Sequence, residues 1–504
     1  MSQLSTLMRD VMALDPAAKA IEFEGSWWSW GDVSRAGKAL DAVLLDAGIA
    51  GGARVAVLAR NHPANASSIV ELIVSDRCMV TLNPTLPDER LATDIRGLKP
   101  VAVVGLASDW TRSAVRDAAR EIGCLGVVLG DLGEPPVTVV PGLEAATGAE
   151  LRREAPGIAI EMLSSGTTGT PKRIPLKASS FAEGIISAGV FDGRKPGDPA
   201  KLRSGVQILN SPFAHIGGVF GLFNCLAAGR AGCLLEKFSV TSFVDAVRRH
   251  RPKVVGAPPS ALRMILDAKV SKEDLSSLVA FRVSTAPLPQ ELGDAFYETY
   301  DIPVLQNYGA TEFAGGVAGW TLKDFKLHHL DKRGSVGRLN PGIDCRITEP
   351  TTGEPLTFGE TGLLELRASQ LGDGKNWVKT TDLAVLDEDD FIWIKGRYDN
   401  AIIRGGFKVM PDDVVKALEL HPSILEAAVV GLPDPRLGEV PVAAYLIKSD
   451  AEPCTESELR DYLKEKLLPY QVPVRLLQVD DMPRTPSMKV SQPDLKAMFL
   501  QDQV

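Results

Sequence analysis

Leu163-Ser164-Ser165-Gly166-Thr167-Thr168-Gly169-Thr170-Pro171-Lys172-Arg173 is the stretch from which the rest of the chain is read. Just before it, Gly157-Ile158-Ala159-Ile160-Glu161-Met162 is apolar enough to form a short buried strand. Residues 164–172 then carry little bulk, several hydroxyls and one lysine. Backbone N–H groups so lightly covered can cup a phosphate chain, the hydroxyls add donors and a metal contact, and the lysine adds positive charge. A solvated Ser/Thr/Gly linker is the competing reading of this composition. Placement after an apolar strand, deep inside a long ordered chain, argues against it. The stretch also differs from the nucleotide loop G-x-x-x-x-G-K-[ST], because Pro171 precedes Lys172 and Arg173 follows it. Arg173 either adds a phosphate contact or faces water.

Outward from this loop the pattern is that of an α/β protein. Apolar strands at 55–59, 78–82, 101–105 and 126–129 alternate with helices at 64–76 and 108–122, which predicts a parallel sheet covered on both faces. Residues 1–20 read as a leading helix and 23–30 as a hairpin or edge. Beyond the loop come a helix at 179–188, strands at 206–209, 232–235, 253–256, 279–285 and 304–306, and helices between them. Several of these strands deliver the chain to glycine- or proline-rich loops, and active-site loops in open α/β sheets follow the carboxyl ends of strands. From 335 to 386 the apolar period becomes two, predicting a β-rich subdomain. A further α/β unit of about 100 residues follows, long enough to fold alone.

A chain of 504 residues is too long for one ordinary domain, and 45% hydrophobic with 24% charged residues fits a globular protein with ample core. Net charge is −9 with no basic stripe, so a nucleic-acid backbone is not an expected partner. The six cysteines are scattered without a CxxC pair and read as buried thiols in a reducing compartment. No zinc-ligand spacing is present, and no structural metal is expected. No signal segment, no apolar run of the roughly 18 residues a membrane span needs, and no terminal lipidation or peroxisomal tag is read. The expected location is cytoplasmic.

Residues 164–172 match, at every position, the signature loop of the adenylate-forming enzymes, the superfamily of acyl-CoA synthetases, luciferases and nonribosomal-peptide adenylation domains. Further segments in that family's order extend the resemblance over roughly residues 20–496. It implies that Ser164, Ser165, Gly166, Thr168, Gly169 and Lys172 hold the phosphates of ATP, and that Thr167 and Glu312 hold Mg²⁺. Gln306-Asn307-Tyr308-Gly309-Ala310-Thr311-Glu312 resembles a nucleotide segment in which Tyr308 packs by adenine; Asn307, Gly309 and Thr311, with Ala286 and Pro287, complete that side. Thr380-Thr381-Asp382 resembles the segment whose aspartate holds both ribose hydroxyls, with Thr381 where glycine is usual, a replacement that costs backbone freedom. Arg397, in Gly396-Arg397-Tyr398-Asp399, is implied to contact ribose or phosphate, and Asp399 to be a hinge. Gly405 and Gly406 are implied to line the thiol path. Pro483-Arg484-Thr485-Pro486-Ser487-Met488-Lys489-Val490 resembles the catalytic-lysine loop, although Met488 replaces a glycine and Ser491-Gln492-Pro493 lacks the customary basic residues. His215 is implied to wall or gate the acyl site. Outside the resemblance these residues have plainer readings: Thr311-Glu312 a helix start, Asp382 a turn residue, 404–409 a Gly-rich hairpin, Lys489 a solvent-facing lysine.

The implied fold is a large N-terminal domain, 1–396, of parallel-rich sheets flanked by helices, with a β-rich subdomain at 334–395, followed by a small mobile α+β domain at 397–504. The implied reaction has two halves. A carboxylate attacks the α-phosphorus of MgATP to give acyl-AMP and pyrophosphate, and a thiol then takes the acyl group as AMP leaves. The thiol is that of coenzyme A or of a carrier protein's phosphopantetheine; a third reading is an adenylate-binding homologue with impaired turnover. Assembly as a homodimer is left open. The acyl pocket is expected from residues 213–220, 284–288 and 313–319, which hold no lysine or arginine. Gly315 and Gly316 either serve a backbone that needs positive φ or make room for substrate, and a bulky or elongated hydrophobic monocarboxylate is the expected acid.

Overall fold

Seven strands form the first sheet, in the order Val137–Val139, Leu125–Leu129, Ala102–Leu106, Arg54–Leu58, Cys78–Leu82, Ile158–Leu163, Arg173–Lys177. The inner five run parallel and the two edge strands antiparallel. Strands Arg54–Leu58 and Cys78–Leu82 are buried at every residue, as are all twelve residues of helix Pro63–Val74, the pattern of a parallel sheet covered on both faces. The computed structural model describes residues 2–163, 173–189, 194, 197–313, 315–404, 407–449, 451, 454–485 and 489–501, without the side chains of Asp399 and Lys408. These divide into two compact units. One comprises described residues within 2–163, 173–333 and 368–375; the other, those within 334–367 and 376–501.

The first unit holds two more sheets. Val206–Leu209, Ala231–Leu234, Lys19–Phe23 and Ser26–Ser29 are neighbours in one. In the other, Val254–Ala257, Ala280–Val283 and Val304–Ala310 run parallel, and Gly315–Gly319 turns back against the last. Phe243, Phe281, Phe296 and Tyr300 stack in succession at centroid separations of 6.0, 5.3 and 4.8 Å and fill the core beside this sheet.

Three local expectations are corrected here. The leading helix stops at Leu14, because Asp15 is extended ahead of Pro16; Lys19–Phe23 is then a strand, parallel to Ala231–Leu234. The helix expected over 108–122 is split into Ala107–Trp110 and Ser113–Ile122. Arg112 at the break is extended and donates to Asp88 and to the carbonyls of Pro84 and Leu86, contacts that a continuous helix would not allow. Arg173, read as the end of the loop, opens strand Arg173–Lys177.

The second unit opens with an antiparallel sheet, Asp344–Thr348, Gly362–Arg367, Val378–Leu386 and Ile392–Arg397, in sequence order. A second sheet is ordered Phe407–Val409, Ile402–Arg404, Gly438–Ile447, Ile424–Asp434, with Arg475–Gln478 parallel to Gly438–Ile447. Alternation along its strands serves two cores. Val429, Ala443 and Tyr445 meet helices Pro411–Glu419 and Glu456–Lys466, while Val430, Val442 and Ala444 meet Leu495 and Phe499 of helix Gln492–Gln501. The fold is thus α/β with a smaller α+β C-terminal part. No described helix is long and apolar enough to cross a membrane.

Candidate active site

Residues 164–172 lie outside the described residues, so Ser164, Ser165, Gly166, Thr167, Thr168, Gly169 and Lys172 have no described placement. Their anchors do. Strands Ile158–Leu163 and Arg173–Lys177 pair antiparallel, with Leu163 opposite Arg173, so the signature segment connects the two arms of a hairpin at the edge of the seven-stranded sheet. Arg173 neither faces water nor is set to contact phosphate. Its guanidinium turns inward and donates to the carbonyl oxygens of Thr81 (2.9 Å) and Glu161 (3.2 Å), and burial holds its pKa below the ordinary arginine value. Glu161 is forked by Arg54, Nε–Oε1 3.0 Å and Nη2–Oε2 2.6 Å, with both side chains largely buried. This charged base was not read from the sequence. The signal was present as a charged residue on each of three apolar strands.

On the approach to His215, Asn61 organises the turn. Its amide nitrogen donates to the carbonyls of Ser211 and Leu235, and its oxygen accepts from the Phe213 N–H at 2.9 Å. Asn210 ties the same segment to strand Val254–Ala257 through Gly256. Both asparagines are buried, and sequence reasoning missed both. The His215 N–H closes onto the Pro212 carbonyl, and His215 is the N-cap of helix Ile216–Ala227, half-buried. Gly218 is required there, since a Cβ would stand 2.2 Å from the Pro212 oxygen. One turn on, helix residues meet the other expected acyl-wall segments. Thr285 Cγ2 lies 3.8 Å from the Cβ position of Gly217, and the Phe220 ring 3.1 Å from that of Gly315.

Val283 is in register with Gln306, so the loop holding Ala286 (half-buried) and Pro287 (exposed) leaves its strand beside the start of Asn307-Tyr308. Past that point strand Val304–Ala310 pairs only with Gly315–Gly319 among strands of its unit, which bares Asn307 and Gly309. Tyr308 is half-buried, edge-on to Phe313 with centroids 6.1 Å apart. Thr311 and Glu312 form a short 3₁₀ turn, Thr311 half-buried and Glu312 exposed. The role expected for Gly316 is corrected. A Cβ there would stand 2.7 Å from Asn307 Oδ1 and 2.8 Å from Nδ2, so this glycine makes room for the Asn307 amide.

In the second unit, Asp382 and Arg397 are opposite one another on antiparallel strands. Asp382 Oδ1 is 3.9 Å from Arg397 Nε, while the guanidinium donates to Thr381 Oγ1 from Nε (3.0 Å) and Nη2 (2.7 Å). Thr381 lies within strand Val378–Leu386 and is not among the positive-φ residues, so the backbone here has no need of glycine, contrary to expectation. The arms of the lysine loop are zipped: Thr485 N–H donates to the Lys489 carbonyl (2.7 Å), Arg484 bridges Val490, and Ser491 N–H donates to the Pro483 carbonyl (2.7 Å). Arg484 is held by Glu426 at 2.6 Å, and Lys489 is half-buried. Ser491, where a basic residue is customary, exchanges hydrogen bonds with Asp494 at the start of the last helix. Met488, Gly405, Gly406 and the Asp399 side chain lie outside the described residues.

Among the described residues, Glu22, Cys233 and His250 bring metal-ligating atoms within 4.8 Å of one another. Arg249 and His250 both lie on the Glu22 carboxylate, and the Arg249 guanidinium already supplies it with a positive charge.

Residues 8–374 match the family described as AMP-binding enzyme, and 415–489 match the AMP-binding enzyme C-terminal domain. The chain belongs to this family. At that level it is an ATP-dependent enzyme that forms an acyl-adenylate and passes its acyl group to coenzyme A or another nucleophile. It is 29% identical to 4-coumarate–CoA ligase 3 of Oryza sativa subsp. japonica, over 94% of this chain and 87% of that one. With 4-coumarate–CoA ligase-like 9 of Arabidopsis thaliana it shares 28% identity over 66% of this chain, and the match spans only 61% of that relative's length. Among solved structures, an ATP-bound RpMatB–BxBclM chimera superposes with TM-score 0.83 at 24% identity, covering 100% of both chains, a likeness of fold. The amide bond synthetase McbA from Marinactinospora thermotolerans superposes with TM-score 0.79 at 26% identity, over 98% of this chain and 100% of that one.

Proposed function

We propose that this protein is an AMP-forming acyl-CoA ligase for a hydrophobic, bulky or elongated monocarboxylic acid. The observation carrying the acid class is that three segments without lysine or arginine come together, Gly217 near Thr285 and Phe220 near Gly315. A second carboxylate would find no lysine or arginine partner in those segments. The names of the 4-coumarate–CoA ligase relatives favour the same class and favour coenzyme A as acceptor.

Residue roles follow from chemistry and position. Asn307, Tyr308, Ala286 and Pro287, gathered at the carboxyl ends of adjacent strands, take the adenine side. Asp382 accepts the ribose hydroxyls with Arg397 beside it. Glu312, an exposed carboxylate just past its strand, has the hard oxygen donors that suit Mg²⁺, with Thr167 as the second ligand. Bound there, the ion would neutralise phosphate charge during displacement. The hydroxyls, Gly166, Gly169 and Lys172 of residues 164–172 orient the phosphates. Lys489 offsets the charge that builds between carboxylate oxygen and α-phosphate. His215 walls the acyl end. Residues 397–504 then turn about Asp399, withdrawing Lys489 and presenting Gly405 and Gly406 to the incoming thiol.

The likeness to an amide bond synthetase favours a second acceptor class, an amine. The deciding experiment is a panel of carboxylic acids assayed for pyrophosphate release, with AMP release then followed on adding coenzyme A, a carrier protein or an amine. Pyrophosphate release with short diacids alone, or AMP release with amines alone, would replace this reading. Absence of any carboxylate-dependent pyrophosphate release would make the chain a nucleotide-binding homologue without turnover.

A further inference from the structure

Residues 368–375 belong to the first unit although both of their flanks belong to the second. Leu371, 1% exposed, sits in a double turn: its N–H donates to the Ala368 carbonyl (3.0 Å), and the Gly374 N–H donates to its own carbonyl (2.7 Å). Side chains fasten this turn to the elements that follow the signature segment. Lys177 Nζ donates to the Gly372 carbonyl at 2.9 Å, and Ser369 Oγ to Glu183 Oε1 at 3.4 Å. Between these attachments Gln370 is buried, and its amide nitrogen donates to the Phe313 carbonyl at 3.3 Å. The same nitrogen lies 3.8 Å from where a Cβ on Gly315 would stand.

Phe313 closes the 3₁₀ turn Thr311–Phe313 that carries Glu312. A single turn of this kind has poor hydrogen-bond geometry of its own and depends on its surroundings. Among the described residues no other side chain hydrogen-bonds to the turn, and the exposed Glu312 carboxylate makes no hydrogen bond or ion pair. Nothing therefore steers that carboxylate except the backbone of the turn, and the carbonyl that closes the turn is held by Gln370. Burying the amide is costly unless it is bonded, so the contact also accounts for a polar residue at this buried position.

We propose that Gln370 is a positioning residue for Mg²⁺ binding: its amide pins the turn so that the Glu312 carboxylate stands in place before a cation arrives with the phosphates of ATP. The inference rests on the reading of Glu312 as a metal ligand. A carboxylate without a protein partner suits Mg²⁺, which is held by one or two carboxylates together with phosphate oxygens. Pinning the turn lowers the freedom lost on binding.

The test is calorimetric titration of the full-length protein with ATP in saturating Mg²⁺, with ATP in EDTA, and with AMP, which requires no knowledge of the acid. The quantity read is the Mg²⁺ advantage, the ratio of the ATP dissociation constant in EDTA to that in Mg²⁺. Gln370→Met, similar in length but without the donor, should cut this ratio about three- to five-fold, the effect of losing one neutral hydrogen bond. AMP and metal-free ATP should bind it within about two-fold of the parent. Gln370→Leu should behave in the same way. On a Glu312→Gln background, Gln370→Met should lower the ratio no further, because the carboxylate it would place is gone. A parent-like ratio in both single variants would overturn the proposal. So would equal weakening of all three titrations with the ratio unchanged, or an undiminished fall on the Glu312→Gln background. Glu312→Gln alone separates the two levels. If its ratio equals the parent's, the metal reading of Glu312 falls, and the inference with it. If its ratio is lowered while that of Gln370→Met is not, the inference alone falls.

Discussion

Asn307 and Gly316 lie on neighbouring antiparallel strands, and the Asn307 amide fills the space over the Gly316 Cα, its oxygen and nitrogen 2.7 and 2.8 Å from where a Cβ would stand. A Cβ at Gly319 would stand 3.0 Å from the same amide's oxygen. A strand rich in glycine thus serves as the seat of one polar side chain. At Gly315, one residue before Gly316, the logic differs: the register breaks between Tyr308 and Gly309 on the facing strand, and Gly315 has a φ of +153°.

Gly316→Ala is therefore expected to weaken AMP binding by about five- to ten-fold while moving the melting temperature by no more than about 2 °C, because the obstructing atoms end a side chain that can swing away. The ratio of kcat/KM for a bulky and a short acid should not move. A changed acid ratio with intact AMP affinity would return Gly316 to the acyl wall.

Removing the charge of Glu161 leaves the buried guanidinium of Arg54 without its carboxylate. Glu161→Gln should cost about 3–5 kcal/mol in urea unfolding, the penalty for breaking a buried pair from one side. The double variant Arg54→Met, Glu161→Leu should recover part of it. A loss under about 1 kcal/mol for Glu161→Gln would mean that water reaches this pair and that it is a surface interaction.

For Lys489→Ala the expected signature is asymmetry between half-reactions. Pyrophosphate release should slow by the equivalent of about 2–4 kcal/mol, while thioester formation from supplied acyl-AMP changes little. Equal losses in both would assign Lys489 to holding the loop together, where its backbone is already hydrogen-bonded to Thr485.

Burial pushes the thiols of Cys78, Cys124, Cys233 and Cys345 up to about 12. A raised thiol pKa means the protonated form persists, so at pH 8 only about one in 10⁴ of each is thiolate. Alkylation of the native protein at pH 8 should leave these four unlabelled over hours, with Cys454, raised but less buried, modified first. Rapid labelling of Cys78 would show that its strand opens.

The alternation of strands and helices was legible because the parallel strands are mostly apolar, as at Val55-Ala56-Val57-Leu58. The breaks were less so. Residues 108–122 look helical throughout, and only the partners of Arg112, at Asp88, Pro84 and Leu86, stop the helix; such long-range contacts leave no local mark. At the candidate site, residue types announced chemistry where several hydroxyls, glycines or a lysine cluster. Supporting residues did not announce themselves. Asn61 and Thr381 are single polar residues whose meaning lies in what is opposite them, and the pair Gly315-Gly316 reads as one roomy feature although its two members face different neighbours.

Asn61 has a consequence for how the protein is made. Its three partners, Ser211, Phe213 and Leu235, leave the ribosome 150, 152 and 174 residues later. The strands and helix around Asn61 can assemble early, while its amide waits in water. The turn that carries His215 is completed only after Leu235 has emerged, near the midpoint of the 504-residue chain, on a framework already standing.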